Sequence, residues 1–232
     1  MLKLWAMLKL WGRPTSTNTQ RVLWTLAEAG VPYELTLASA TMGAGGHISL
    51  GNAAYGTVDT AAYRAMNPNG TIPTIDDGGF VLWESNAIVA YLARRYAPEK
   101  LFGDDENTFA RAVQWMSWTN YSMDPSMHVL IMQLERLAPE KRSAEAVEAA
   151  RQEILRKLAM LEDRLGRSAY LAGDAFGIGD IPAGISTQRW MHCGLERPAM
   201  PRLEAWLARL GEREGFRRHV APRDRHFRSR GS

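Results

Sequence analysis

Cysteine is almost absent from this chain, because Cys193 is the only one among 232 residues. A single cysteine excludes an intrachain disulfide, a cysteine-rich metal site and a CxxC redox pair. A reducing compartment fits this composition, and we expect the protein to be cytoplasmic.

Long apolar runs are missing as well, since none approaches the roughly 20 residues that a membrane-spanning helix needs. Lys3 and Lys9 interrupt the first residues, which are therefore not typical of a signal peptide. We expect no membrane partner. From position 213 onward the chain is basic, with seven arginines against Glu214 and Asp224. We interpret this segment as a solvated helix end and tail and expect no nucleic-acid partner, because neither aromatic interleaving nor a recognition motif accompanies the charge.

The remaining residues are those of an ordinary globular protein, 46% hydrophobic and 23% charged. The first hundred residues alternate strand and helix patterns, with strands at Leu8–Trp11 and Tyr33–Leu37 and a helix from Asn18 to Ala29 that ends at Gly30. After Tyr96 helical periodicity dominates. The pattern predicts an α/β domain at 1–97 with its core from about residue 8, a linker at 98–106 and an all-helical domain at 107–232. Four long helices are predicted in the second domain, and Pro125 should kink or divide the first of them; they cover 109–137, 144–165, 178–191 and 202–213.

A proline in the β-branched run 71–75 is unexpected, because Pro73 has no N–H for a sheet ladder. A cis Ile72–Pro73 bond would turn the main chain of Ile72 toward a ligand. The run is followed by a predicted hairpin turn at 76–79 and a helix that we expect Ser85 to cap. Glu84, Ser85 and the free N–H groups of this helix could bind an α-amino acid head group. The alternative is an edge hairpin followed by an ordinary capped helix.

Polar side chains occupy the junction between the first strand and the first helix, where the helix N-terminus favours anions. The chain has only five histidines and none lies near this junction, so a Ser-His-Asp nucleophile is poorly supported. A hydroxyl here would instead donate a hydrogen bond to an anionic ligand, or would merely cap the helix. The candidates are Thr15, Ser16, Thr17 and Asn18.

Together these motifs resemble the cytosolic glutathione transferases over roughly residues 8 to 221. The segments "GRPTSTNTQRVLW", "NPNGTIPTI", "LWESNAIVAYL" and "YLAGDAFGIGDIP" carry the resemblance, which is strongest to bacterial members that use a serine. It implies a thioredoxin-like α/β N-terminal domain that binds glutathione, plus an all-α C-terminal domain. It further implies that Pro73 is the family's cis-proline, that Ile72 pairs with the cysteinyl part, and that Glu84 and Ser85 hold the γ-glutamyl end. Ser16 matches the catalytic hydroxyl and Asn18 a second contact near the thiol.

Two positions depart from the family pattern. Gly70 stands where some relatives carry a histidine, so the contact with the glycyl carboxylate is left open, with Asn69 and His47 as the two candidates. Gly177 replaces the hydroxyl residue of a helix-capping box, and we expect Asp180 to cap that helix alone.

The resemblance implies that glutathione is a co-substrate, that no metal or other cofactor is needed, and that the protein is a homodimer. The second substrate would be a hydrophobic electrophile, bound between the domains by Met116, Thr119 and Met123, which share one helix face. Two alternatives remain open: a glutathione-dependent disulfide reductase or peroxidase using the same site, and a non-catalytic binding protein with this fold.

Overall fold

The protein is described by a computed structural model that covers residues 7–39, 57–103 and 105–221. In this part of the chain, no helix is both long and apolar enough to cross a membrane.

The N-terminal half forms one four-stranded mixed sheet with helices packed on it. Its strands are β1 (Leu8–Gly12), β2 (Tyr33–Leu37), β3 (Thr74–Asp77) and β4 (Phe80–Trp83). They lie in the order β2-β1-β3-β4, with β1 parallel to β2 and the other two pairs antiparallel. The helices of this half are α1 (Thr17–Ala29), α2 (Ala61–Met66) and α3 (Ser85–Tyr96). The predicted strand-and-helix order is therefore confirmed.

Helix α1 begins and ends where its sequence provides caps. The Ser16 side chain accepts a hydrogen bond from the Thr19 N–H, and Gly30 adopts the left-handed conformation (φ 66°) that closes the C-terminus. Apolar side chains on one face of the helix pack on the sheet in a buried core. That core consists of Leu8, Leu10, Val22, Leu23, Leu26, Ile75, Ile88 and Leu92.

Helix α3 starts one residue earlier than the sequence predicts. Ser85 is its first residue, and the N-cap position belongs to Glu84, which has φ 70° and makes no side-chain capping bond. The prediction that Ser85 caps this helix is therefore wrong. Positive φ is uncommon for a residue other than glycine, and such backbone strain is concentrated at functional sites.

The C-terminal half is helical. After a π-helical turn at Pro98–Phe102 come α4 (Glu106–Trp118), α5 (Asp124–Ile131), α6 (Ala144–Arg164), α7 (Asp180–His192), α8 (Pro201–Gly211) and α9 (Glu214–His219). Two further π-helical segments, Thr119–Met123 and Met132–Arg136, flank α5, and a 3-10 turn covers Pro139–Lys141. Pro125 is the second residue of α5, directly after the π-helical segment Thr119–Met123 that separates α4 from α5. The predicted first helix is therefore interrupted close to Pro125, by a π-helical segment with right-handed helical angles at both ends.

The two halves share buried contacts through α1. Trp24 is fully buried in the core of the helical half, and its indole N–H donates to Glu28. Glu28 also receives two hydrogen bonds from Arg213, at 2.9 and 2.7 Å. Leu101, inside the predicted linker 98–106, is buried in the same core as Trp24. The division into domains at 97 and 107 stays a prediction.

Asp180 does not cap α7, contrary to expectation, because it is the first residue of that helix and Gly179 is the N-cap. Its carboxylate accepts hydrogen bonds from the N–H groups of Leu171 and Gly177, which precede the helix, and from the indole N–H of Trp206. Burial raises the pKa of Asp180 to about 6, although these three donors oppose the shift.

Candidate active site

The turn between β1 and α1 presents Ser16 at the end of a central strand. Ser16 N–H donates to the Arg13 carbonyl at 3.1 Å, which closes the turn. The Ser16 Oγ accepts from the Thr19 N–H at 3.4 Å. An oxygen that accepts this bond still has its own proton to donate. Capping α1 and donating to a ligand are therefore compatible roles for the half-buried Ser16.

The neighbours of Ser16 have different environments. Thr15 Oγ1 accepts a hydrogen bond from the Arg13 guanidinium at 2.7 Å, whereas Ser16 Oγ accepts from the main chain of α1. Asn18 is exposed, and its Oδ1 accepts from the Ser85 hydroxyl at 3.4 Å. Asn18 and Ser85 are 67 residues apart in the chain. The fold thus brings the predicted site residues of α1 and α3 together.

The Ile72–Pro73 peptide bond is cis, which confirms the prediction from sequence. The pairing of β3 with β1 begins at Thr74, so the main chain of Ile72 lies outside the ladder. Two side chains hold the preceding carbonyl, that of Thr71: the Tyr63 hydroxyl donates to it at 2.6 Å and the Asn67 amide at 2.9 Å.

Tyr63 and Asn67 were not identified from sequence as part of this site. Both are 1% exposed, and both also bond to Thr74 Oγ1. Burial raises the pKa of Tyr63, so its hydroxyl keeps the proton that it donates to Thr71. The pair holds both sides of the cis peptide bond through side chains from α2 and the turn after it.

The N-terminus of α3 places Glu84 at the surface and Ser85 in the interior, 6% exposed. The first N–H groups of the helix have no partner within it and carry partial positive charge. The Glu84 carboxylate can bind an ammonium group, while the neighbouring N–H donors bind a carboxylate of the same ligand. This combination matches the α-amino acid head that the sequence motif predicts.

Behind Ser85 lies a fully buried arginine, Arg21 of α1. Its Nη1 lies 3.3 Å from the Ser85 hydroxyl and 3.1 Å from the Asn86 amide oxygen. The same atom lies 3.3 Å from the Asn120 amide oxygen, and Nη2 forms an ion pair with Asp124. A guanidinium group that donates to Ser85 leaves the hydroxyl proton of Ser85 for another acceptor, such as Asn18 or a ligand.

Sequence reasoning missed Arg21. The available signal was a polar stripe on α1, formed by Arg21, Thr25 and Glu28 at helical spacing on an otherwise apolar helix. The stripe does not reveal the partner, because Asp124 is 103 residues further along the chain.

The three residues predicted to contact a second substrate lie in the interior. Met116 is 3% exposed, while Thr119 and Met123 are fully buried. Their helix face packs against the core rather than lining an accessible surface, so none of the three is available to a second substrate in this structure. One cavity of about 480 Å³ lies between α4 and α6 and contains none of the predicted site residues. It is lined by Trp115, Ala159, Met160, Asp163, Arg164 and Arg167.

Of the two residues predicted to contact the glycyl carboxylate of glutathione, the structure describes only one. Asn69 is exposed, and its N–H donates to the Asn67 side chain at 3.1 Å. His47 lies outside the residues that the structure describes. Within the described ranges, no group of three histidine, cysteine, aspartate or glutamate residues could hold a metal ion.

Comparisons with known proteins agree with this geometry. Residues 15–95 match the family model for the glutathione S-transferase N-terminal domain, and 144–209 match the model for the C-terminal domain. The chain is 36% identical over 216 residues to glutathione S-transferase GstB of Escherichia coli K12, covering 92% of this chain and 98% of that protein. It is 32% identical over 227 residues to glutathione S-transferase 3 of Zea mays, covering 93% and 94%.

Solved structures give the same result. The theta class glutathione S-transferase of Xanthomonas axonopodis pv. citri, crystallised with glutathione bound, superposes with a TM-score of 0.83 at 37% identity. The match covers 93% of this chain and 98% of that one. The predicted fold, a thioredoxin-like domain followed by an all-helical one, is confirmed.

Proposed function

The chain belongs to the glutathione S-transferase family and is a glutathione transferase, and on this basis we propose that Ser16 stabilises the thiolate of bound glutathione for attack on a hydrophobic electrophile. One observation carries the proposal: the Ser16 hydroxyl caps α1 as an acceptor and keeps its proton for a ligand at the end of β1. Glutathione is the co-substrate, and this chemistry needs no metal or other cofactor.

Glutathione is held by two parts of the site. Ile72, whose main chain precedes the β3 ladder, pairs with the cysteinyl part of the tripeptide, and Pro73 maintains its direction. Glu84 binds the ammonium group of the γ-glutamyl end, while Ser85 and the α3 N-terminus bind its carboxylate. Asn18, two residues after Ser16, accepts a hydrogen bond from the Ser85 hydroxyl and so joins this second part to the turn that carries Ser16.

The size of the expected effect follows from one hydrogen bond. A free cysteine-like thiol has a pKa of about 8.5, so it is mostly protonated at neutral pH. A hydrogen bond to a charged group contributes about 1.5–3 kcal/mol. Since one pKa unit corresponds to about 1.36 kcal/mol, donation by Ser16 lowers the thiol pKa by roughly one to two units. The bound thiol then has a pKa of roughly 6.5–7.5, so a substantial fraction is ionised and reactive at neutral pH.

The test compares Ser16→Ala with its neighbours. We expect Ser16→Ala to bind glutathione nearly as well as the wild type, because binding depends on Ile72, Glu84 and Ser85. The pKa of the bound thiol should rise by about one to two units, so that the rate with an aryl halide recovers toward pH 9. The measurements are the pH–rate profile and the ultraviolet titration of the bound thiolate.

Thr17→Ala is the matched control, since it removes a hydroxyl from the adjacent residue, and it should keep the wild-type profile. Asn18→Ala should have an intermediate effect. If Ser16→Ala keeps the wild-type profile while Asn18→Ala shifts it, the amide rather than the hydroxyl stabilises the thiolate.

We also propose that the protein is a homodimer and that it is cytoplasmic. The single cysteine, Cys193, is in keeping with a reducing compartment.

A further inference from the structure

Arg189 of α7 reaches across to the turn that carries Ser16. Its Nη2 donates to the Thr15 carbonyl at 2.6 Å and to the Gln20 side-chain oxygen at 3.2 Å. These partners are 174 and 169 residues away in the chain. A guanidinium from the helical half therefore bonds to this turn, and its acceptor is the carbonyl directly before Ser16.

The position of that carbonyl matters because a peptide unit is planar. The Thr15 C=O and the Ser16 N–H belong to one peptide unit, which also includes the Ser16 Cα. Arg189 holds the oxygen of this unit, and the Arg13 carbonyl holds its N–H at 3.1 Å. Because the C=O and the N–H of this peptide unit are both hydrogen-bonded, the position of the Ser16 Cα is fixed. Only rotation about the bonds that follow this Cα can then move the hydroxyl.

The helix that supplies Arg189 is itself firmly placed. Ile181 and Ile185 of α7 are fully buried, and the Ser186 hydroxyl donates to Asp124 at 2.6 Å. On the other side of the turn, Arg13 donates to Thr15 Oγ1 at 2.7 Å. The turn is thus held from its own strand and from a buried helix of the C-terminal half.

From this geometry we propose that Arg189 is a positioning residue that sets the location of Ser16 relative to the glutathione thiol. The proposal rests on the function proposed above, in which Ser16 donates to the thiolate. Hydrogen-bond donation depends steeply on distance and angle, and a misplacement of about 1 Å in an active site can cost roughly 100-fold in rate. Arg189 acts through Ser16 and does not touch the substrate.

A purely structural role predicts something different. If Arg189 only attaches α7 to the turn, its loss lowers stability without changing the pKa of the bound thiol. Arg209 of α8 provides a matched control, because its Nη2 also donates to a loop carbonyl at 2.6 Å, that of Ala169. Arg209→Met removes the same kind of contact outside the site.

The experiment measures the pH–rate profile, the titration of the bound thiol and the KM for glutathione in Arg189→Met, Arg189→Lys and Arg209→Met. We expect Arg189→Met to raise the thiol pKa by about one unit, which lowers the thiolate fraction roughly three- to eightfold at pH 7 and about tenfold at pH values well below the pKa. The KM for glutathione should stay within about twofold, because the main binding groups lie on other segments. Arg189→Lys should restore part of the loss, since an ammonium can still donate to the Thr15 carbonyl. It also provides the test if Arg189→Met folds poorly.

Arg209→Met should keep the wild-type pH profile. If Arg189→Met and Arg189→Lys keep it too, while Ser16→Ala shifts it, the positioning role is refuted and the proposed function stands.

A double-mutant cycle then tests whether Arg189 acts through Ser16. In the Ser16→Ala background, Arg189→Met should cause no further shift of the thiol pKa. An additional shift equal to that in the wild type would mean that Arg189 acts directly on the thiolate, and would overturn the proposal. If Ser16→Ala itself has no effect on the pH profile, the proposed function fails and this inference fails with it.

Discussion

The buried ion pair between Arg21 and Asp124 offers a direct test of how the two halves of the protein are joined. The substitution is Asp124→Asn, which keeps the shape of the side chain and removes its charge. The Asp124 carboxylate accepts from the Arg21 Nη2 and, at 2.6 Å, from the Ser186 hydroxyl. Without the Asp124 charge, the fully buried guanidinium of Arg21 keeps neutral acceptors, among them the side-chain oxygens of Ser85, Asn86 and Asn120, but loses its ion pair.

The expected loss of stability in Asp124→Asn depends on how deeply each partner of the ion pair is buried. Removing one member of a buried ion pair costs about 3–5 kcal/mol, because the other charge is left uncompensated. The Asp124 side chain is 23% exposed, so water can partly replace it, and we expect the lower end of that range, about 3 kcal/mol. For a chain of this size, 1 kcal/mol corresponds to about 2–4 °C in Tm, so the expected loss is about 6–12 °C.

The assay is urea unfolding followed by the fluorescence of the eight tryptophans, at one fixed protein concentration. Asp163→Asn is the control, since its ion pair with Arg167 is exposed, with side chains 67% and 70% accessible, and should be worth less than about 1 kcal/mol. Replacing both members, as Arg21→Met with Asp124→Leu, should recover part of the loss. The reasoning is refuted if Asp124→Asn is no more destabilising than Asp163→Asn.

Two further predictions concern pH and assembly. The pKa of Asp180 is raised from 3.8 to about 6 in the folded protein, so its stabilising contribution is complete below about pH 4 and is lost as the pH rises through 6. We expect the free energy of unfolding of the wild type, relative to Asp180→Asn, to fall by roughly 2.4 kcal/mol between pH 4 and pH 7, and a difference that does not change with pH would contradict this. We expect light scattering to report twice the chain mass of 25.9 kDa, whereas a concentration-independent mass of 25.9 kDa would exclude the homodimer.

Local patterns were read correctly where neighbouring residues decide the structure. The helix that ends at Gly30 and the cis bond before Pro73 depend on backbone preferences of those residues, and both predictions are confirmed. Helix starts were less accurate. Ser85 and Asp180 were both expected to be caps and are both first residues of their helices, because capping depends on backbone angles that composition does not reveal.

The helix face formed by Met116, Thr119 and Met123 illustrates another limit. Its members do lie on one side of the chain, but periodicity cannot tell whether that side faces a pocket or a core. The structure places them in the core because α7 and the other helices cover them. Arg21 and Arg189 were missed for a related reason, since their partners Asp124 and Thr15 are 103 and 174 residues away.

By itself the sequence determined the order of strands and helices in the N-terminal half, the cis-proline and the family, because each of these depends on short segments. Only the tertiary structure decided which buried charges pair, which apolar face is covered and what holds the peptide before Ser16. Those properties arise from contacts between distant segments, whose geometry exists only once the sheet and the helices have packed together.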